Sequence, residues 1–218
     1  MGFKFTSDWF SNNIERWSKF VIPHLESRKG PIKTLEVGVY EGRSALWTLE
    51  NGGLLKHPKS QMWLVDNWKR RSIGSKRSCW WNFINNLRVF KEKHQDIPDD
   101  KVMIRRGHIP TSLKSPEILK QQFDFIYLDL AGSSQNMLET VTLAWALLKR
   151  DGMLVIDDYT SNKYHEGACM KQGIDAFLDI YAYDLKVVHM SWQVILKKRV
   201  KPLQRREECH SEYYDANT

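Results

Sequence analysis

Short runs of apolar, β-branched and aromatic residues alternate along the chain with longer stretches whose apolar positions recur at helical spacing. That alternation predicts a parallel sheet with crossover helices. Ser7 or Asp8 is placed to cap an N-terminal helix reaching about Val21. Lys33–Gly38 (KTLEVG) reads as the first strand and Arg43–Asn51 as the helix after it, stopped by Gly52-Gly53. Gln61–Asp66 (QMWLVD), Val102–Arg106, Phe123–Asp129 (FDFIYLD) and Met153–Asp157 (MLVID) read as further strands. Cys79–His94, Asn136–Arg150 and Ile174–Tyr181 read as helices between and after them. Leu185–Met190 and Gln193–Lys198 are separated only by Ser191-Trp192, a connection that permits only an antiparallel hairpin. The expected fold class is α/β: a seven-stranded, mostly parallel sheet with a C-terminal antiparallel hairpin and helices on both faces.

The length, 218 residues, suits one domain with a large core, expected over residues 1–199, followed by a polar tail over 200–218. No apolar run is long enough to span a bilayer, and the Met1–Asp8 start does not read as a secretory signal. Cys79, Cys169 and Cys209 are odd in number and far apart, forming neither a metal pattern nor a disulfide framework. The expectation is a soluble cytoplasmic protein with no membrane partner. The formal charge of +7 is concentrated in two clusters. One is Lys69, Arg70, Arg71, Lys76 and Arg77; the other is Lys197, Lys198, Arg199, Lys201, Arg205 and Arg206. Taken alone, such clusters are solvated faces.

Strands one, two, four and five end in acid or glycine where the apolar run stops: Glu36 to Gly38, Asp66, Asp129 and Asp157. Ligands of open parallel sheets bind at the carboxyl ends of strands, so these are candidate site residues. Glu36-Val37-Gly38-Val39-Tyr40-Glu41-Gly42-Arg43-Ser44 joins the first strand to its helix. Its glycines permit a tight turn and close approach of a ligand, while the helix N-terminus offers free N–H groups. The spacing is GxxxG rather than the GxGxxG of nicotinamide sites. Asp66, ending the second strand, is placed to accept from ribose hydroxyls.

With these residues the chain resembles the class I S-adenosylmethionine-dependent methyltransferases, which implies a Rossmann-like sheet. ExGxxxGxS and the acid ending strand two resemble that group's first two motifs. FDFIYLD, WALLKRDGMLVIDDY, GIDAFLDIY and VVHMSWQVILKKR are similar to a bacterial and viral branch of small-molecule and sugar O-methyltransferases. That branch includes macrolide-sugar enzymes, with catechol-type enzymes more distant. The resemblance, covering roughly Leu35 to Arg199, implies that Glu36, Gly38 and Ser44 hold the amino-acid end of the cofactor. It places the ribose on Asp66 and the adenine beside Gly107-His108. Tyr40, Gly42, Asn67, Trp68 and Asp129 complete the expected cofactor site.

The resemblance also implies a metal. Its metal-dependent members carry one Asp ending strand four and an acidic pair ending strand five, matched here by Asp129 and by Asp157-Asp158. Acids on neighbouring strands about 4.8 Å apart converge and repel unless a cation offsets them, and oxygen ligands suit Mg²⁺. The histidine or lysine that the relatives carry shortly after the strand-four Asp is missing from Asp129-Leu130-Ala131-Gly132-Ser133-Ser134. His165, in the following loop, is the expected substitute base beside Asp129, with Lys163 and Tyr164 weaker choices. The expected activity is O-methylation of a hydroxylated small molecule or sugar, with Mg²⁺. A nucleic-acid methyltransferase is a second reading, carried by the basic, aromatic run Lys69–Arg77 with Trp68, Trp80 and Trp81. A non-catalytic binding protein of the same fold is a third, carried by the missing base.

Overall fold

The computed structural model describes residues 2–70, 72–74, 78–95, 97–130, 132–160 and 170–203. Seven strands among them form one sheet: β1 (Lys33–Val37), β2 (Gln61–Asp66), β3 (Val102–Arg106), β4 (Phe123–Leu128), β5 (Leu148–Ile156), β6 (Leu185–Met190) and β7 (Val194–Lys198). Their order is β3-β2-β1-β4-β5-β7-β6. The first five are parallel, and β7 inserts antiparallel between β5 and β6. The helices are α1 (Ile14–Glu26), α2 (Arg43–Asn51), α3 (Cys79–Lys93), α4 (Ile109–Leu113), α5 (Pro116–Leu119), α6 (Ser134–Leu147) and α7 (Met170–Ile180). The expected Rossmann-like α/β architecture is the one found.

Alternation along the central strands divides their side chains between two apolar layers. On β1 and β4, Leu35, Val37, Ile126 and Leu128 pack towards α6 and α7, against Val141, Trp145, Ile174 and Phe177. Phe125 and Tyr127 point the other way, with Trp17, Val21 and Leu25 of α1. A third cluster joins α2 and α3 to β2 through Leu46, Leu49, Leu64, Phe83 and Phe90. Gly173 lets α7 approach α6 closely: a Cβ there would lie 2.2 Å from the Ser134 carbonyl oxygen.

Strand order reverses at β1, whose chain leaves towards β2 while β4 pairs on the other side. This opens a crevice at the carboxyl ends, where such folds place ligands. The strand ends are held level by main-chain bonds beyond the strands themselves. Gly38 N–H donates to Val65 O, Asp129 N–H to Val37 O and Asp157 N–H to Leu128 O, each at 2.9 Å.

The N-terminus departs from the sequence reading. Asp8 accepts from the Ser11 N–H at 2.9 Å, starting a 3-10 turn over Ser11–Asn13, and the α-helix begins only at Ile14 and runs on past Val21 to Glu26. Among the described residues, no helix is long and apolar enough to cross a membrane.

Candidate active site at the carboxyl ends of the sheet

The loop after β1 is fixed by close backbone packing. Gly38 has φ +89°, and a Cβ on it would lie 1.7 Å from the Asp129 carbonyl oxygen, so only glycine fits. Gly42, at φ +82°, opens α2 under the Phe83 ring. Ser44, in the first turn, donates to Glu36 at 2.7 Å. Glu36 is buried, and this burial first, then the charges of Asp129 and Asp66, push its carboxyl well above the usual range, while the Ser44 bond opposes them.

Asp66 has a role that sequence reading did not supply. Its Oδ2 accepts from the N–H groups of Val39 at 2.8 Å and Tyr40 at 2.9 Å, and its Oδ1 from Trp68 N–H at 2.8 Å. The carboxylate thus ties the β1 and β2 loops together. Tyr40 (φ 52°) and Trp68 (φ 46°) adopt left-handed backbone on either side of it. The Trp68 indole N–H donates to Tyr40 O at 2.8 Å, and its fully buried ring stacks on Phe83. Asn67 accepts from Lys69 N–H at 2.8 Å within its own turn. Gly107 N–H donates to Asp66 O at 3.0 Å, which brings Gly107 and His108 to the same sheet end. His108 lies 3.3 Å from the Thr111 hydroxyl.

Tyr127 joins two of the acids. It pairs with Glu36 in the β1–β4 register, and its hydroxyl donates to Asp157 Oδ2 and lies 3.4 Å from Asp129 Oδ2. Gln193 Nε2 donates to the same Asp157 oxygen at 3.0 Å and accepts from the Trp17 indole at 3.0 Å. Asp157 Oδ1 accepts from Asp158 N–H at 2.8 Å. Burial, then the charges of Asp157 and Asp158, raise the Asp129 carboxyl well above its ordinary value; Tyr127 opposes this. The Tyr127 hydroxyl is likewise raised, chiefly by burial.

The expected metal triad is therefore brought together only in part. Asp129, Asp157 and Asp158 are close enough to feel one another's charge. However, among the described residues no group of three or more His, Cys, Asp or Glu side chains is arranged to hold a metal ion. Asp157 Oδ2 already carries two donors, and an oxygen so occupied has no lone pair left for a cation. As it stands, the donor set does not fit a three-carboxylate Mg²⁺ site. His165, Lys163 and Tyr164 lie outside the described residues.

The N-terminal segment crosses this end of the sheet. Buried Asn86 receives the Lys4 N–H at 2.5 Å and donates to Lys4 O at 2.9 Å and Glu41 O at 3.0 Å. Glu41, also buried, accepts from Thr6 N–H at 2.6 Å and the Thr6 hydroxyl at 2.8 Å. Trp9 packs on Tyr40 at 5.0 Å, and Arg70 lies over both rings. Under this segment a cavity of about 40 Å³ is lined by residues that include Ser7, Arg43, Ser44, Tyr127 and Asp129. Sequence reading missed Thr6, Glu41, Asn86, Tyr127 and Gln193. Only Glu41 carried a signal, by lying inside the glycine loop. Of the basic run, Lys69 and Arg70 are described; Arg71, Lys76 and Arg77 lie outside. Trp68 and Trp80 pack with Phe83, whereas Trp81 is exposed.

The family model described as a methyltransferase domain matches residues 35–159, more than half of the chain. None of the curated proteins matches. The O-methyltransferase NovP superposes with a TM-score of 0.58 at 15% identity, over 86% of this chain and 78% of that one. An O-methyltransferase from Bacillus cereus, solved with S-adenosylhomocysteine, gives 0.60 at 18% identity, over 88% and 83%. CalS11, a TDP-rhamnose 3′-O-methyltransferase of calicheamicin biosynthesis, gives 0.63 at 12% identity, over 85% and 78%. At these identities the likeness is one of fold.

Proposed function

From its membership of the methyltransferase-domain family, to which this chain belongs, we propose that the protein is an O-methyltransferase that uses S-adenosylmethionine to methylate a hydroxyl of a small molecule, such as a sugar. The observation that carries this reading is the abutment of Gly38 on the Asp129 carbonyl. It joins the glycine loop of β1 to the acid ending β4 at the point where strand order reverses. Glu36, Gly38, Tyr40, Gly42, Ser44, Asp66, Asn67, Trp68, Gly107, His108 and Asp129 surround that point from four strand ends, which supports their assignment to the cofactor. Asp66 Oδ1 keeps room for a ribose hydroxyl beside its single bond to Trp68.

Bound S-adenosylmethionine supplies an electrophilic methyl group on its sulfonium sulfur. Transfer forms a bond from the acceptor oxygen to that methyl carbon, breaks the sulfur–carbon bond and leaves S-adenosylhomocysteine. The protein's tasks are to hold the acceptor oxygen in line, remove its proton and exclude water. Asp129 is suited to take the proton: it lines the cavity, and its raised pKa makes its carboxylate a stronger base than an exposed Asp. Tyr127 orients it. His165 is the other candidate base. Asp129, Asp157 and Asp158, the residues expected to hold Mg²⁺, do not fit the ion as they stand. Asp157 is engaged by Tyr127 and Gln193, so removal of the acceptor's proton rests on the protein's own bases.

Calorimetric titration with S-adenosylmethionine and S-adenosylhomocysteine tests this reading, which fails if neither binds. The nucleic-acid alternative draws on exposed Trp81 and the Lys69–Arg77 run, but Arg70 is engaged by Trp9 and Tyr40. Low-salt RNA binding that vanishes on neutralising Lys69 and Arg70 would favour it. Turnover with any acceptor eliminates the non-catalytic alternative.

A further inference from the structure

Ser7 Oγ and Arg43 Nε are buried and have no hydrogen-bond partner among the described residues. Buried polar atoms are nearly always paired, and an idle N–H on a guanidinium is costly to desolvate. Both residues line the same cavity at the sheet end, one from the N-terminal segment and the other from the first turn of α2. Arg43 is steadied by Asp8 at 3.5 Å, through a different nitrogen, and by the Phe5 ring at 4.2 Å. Its charge is thereby held at the cavity while its Nε–H stays available.

The same cavity is lined by Asp129 and Ser44, the latter bonded to Glu36. Glu41, the remaining acid of the lining, is engaged by Thr6 and Asn82. A small space bordered by a cation with an idle donor, a free hydroxyl and a carboxylate complements a zwitterion. The amino-acid end of S-adenosylmethionine is one.

We propose that Ser7 and Arg43 form the subsite for the α-carboxylate of the cofactor, so that the N-terminal segment is part of the cofactor site. The proposal rests on the methyltransferase reading above. The ammonium group then lies towards Asp129 and Glu36, and the carboxylate supplies the acceptor that Ser7 Oγ–H and Arg43 Nε–H lack. A cavity of about 40 Å³ holds a group of that size and no more. Ligand pockets for whole molecules run to roughly 300 Å³ and above. The rest of the cofactor then lies outside this space, along the carboxyl ends of the strands.

Three ligands separate the groups involved. Calorimetry compares S-adenosylmethionine, its decarboxylated form, and 5′-methylthioadenosine, which lacks the whole amino-acid end. The wild-type protein should bind the first most tightly. Arg43→Gln should weaken S-adenosylmethionine roughly tenfold to a hundredfold, and Ser7→Ala by roughly threefold to tenfold, from the usual strength of hydrogen bonds to charged groups. Both variants should bind decarboxylated S-adenosylmethionine and 5′-methylthioadenosine as the wild type does, which also shows that they are folded. If both variants retain the wild-type preference for the carboxylated ligand, or lose affinity for all three equally, the subsite assignment is wrong. If the wild type binds none of the three, the methyltransferase reading falls and takes the subsite with it.

Discussion

Replacing Asp66 with Ala should damage the fold before it damages the chemistry. The carboxylate accepts three main-chain N–H groups at 2.8–2.9 Å, from Val39, Tyr40 and Trp68. Two of these residues sit at φ 52° and 46°. Left-handed backbone costs a non-glycine residue about 1 kcal/mol, which the carboxylate offsets here. A hydrogen bond to a charged group contributes about 1.5–3 kcal/mol when well shielded. Asp66 is only half-buried, so about 1 kcal/mol for each bond is the better figure, or about 3 kcal/mol in all. For a chain of this size that corresponds to a fall in Tm of about 6–12 °C. Asp66→Asn keeps one acceptor oxygen and should lose about half as much. Calorimetric melting gives the stability, and amide hydrogen exchange at Val39, Tyr40 and Trp68 locates it. An Asp66→Ala protein melting within about 1 °C of the wild type would refute the clamp. Affinity for S-adenosylmethionine lost at unchanged Tm would return Asp66 to ribose binding alone.

Three further outcomes are expected. Gly173→Ala should cost about 2–4 kcal/mol, because its Cβ meets the Ser134 carbonyl at 2.2 Å and two helices must separate; an unchanged denaturant midpoint would contradict the packing. Stability should fall on acidification. Burial, then Arg28, lowers the His24 pKa from 6.5 to about 4, so the unfolded chain takes up this proton first. The contribution is fully present above pH 6.5, is lost as pH falls towards 4, and amounts to about 3 kcal/mol at most. His24→Gln should flatten the Tm profile between those limits, and a slope that persists would assign it elsewhere. Asp129→Asn should weaken binding of S-adenosylmethionine, whose ammonium group it faces, and should still lower turnover about 10²–10⁴-fold at saturating cofactor, while a chelator should leave the wild type active. Activity lost to chelator and restored by Mg²⁺ would replace the base with a metal.

The strands were the most legible part of the fold. β2, β3 and β6 fall on the residues their patterns mark. Burial on both faces makes central strands unbroken apolar runs, and glycines or acids end them. α2 and α3 also begin where expected, after Gly42 and after Ser78, whose hydroxyl accepts from Trp80 N–H. α4 and α5 span only five and four residues and are too short to show a period. α6 begins two residues earlier than its pattern, because Ser133 caps it through Asn136 N–H. In the site, strand-end acids can be read from sequence, but their partners cannot. Asp66 meets N–H groups that any residue would supply. Asn86 and Glu41 meet Lys4 and Thr6 from 82 and 35 residues away. Nothing local marks Tyr127 as the bridge between two acids, since a tyrosine in a core strand usually only packs.

The insertion of β7 between β5 and β6 has a consequence for how the protein is made. On the ribosome, β5 emerges with one long edge unpaired, and its partner follows some forty residues later, when Val194–Lys198 appears. Until then Met153–Ile156, an apolar stretch, presents open backbone to any other nascent chain. The same arrival brings Gln193 between Trp17, near the start of the chain, and Asp157. Closing the sheet edge and fastening Asp157 through Gln193 thus both wait for the same late segment of the chain. A chain released before residue 193 would hold its glycine loop and its strand-end acids, yet lack the element that fastens Asp157 and completes the sheet.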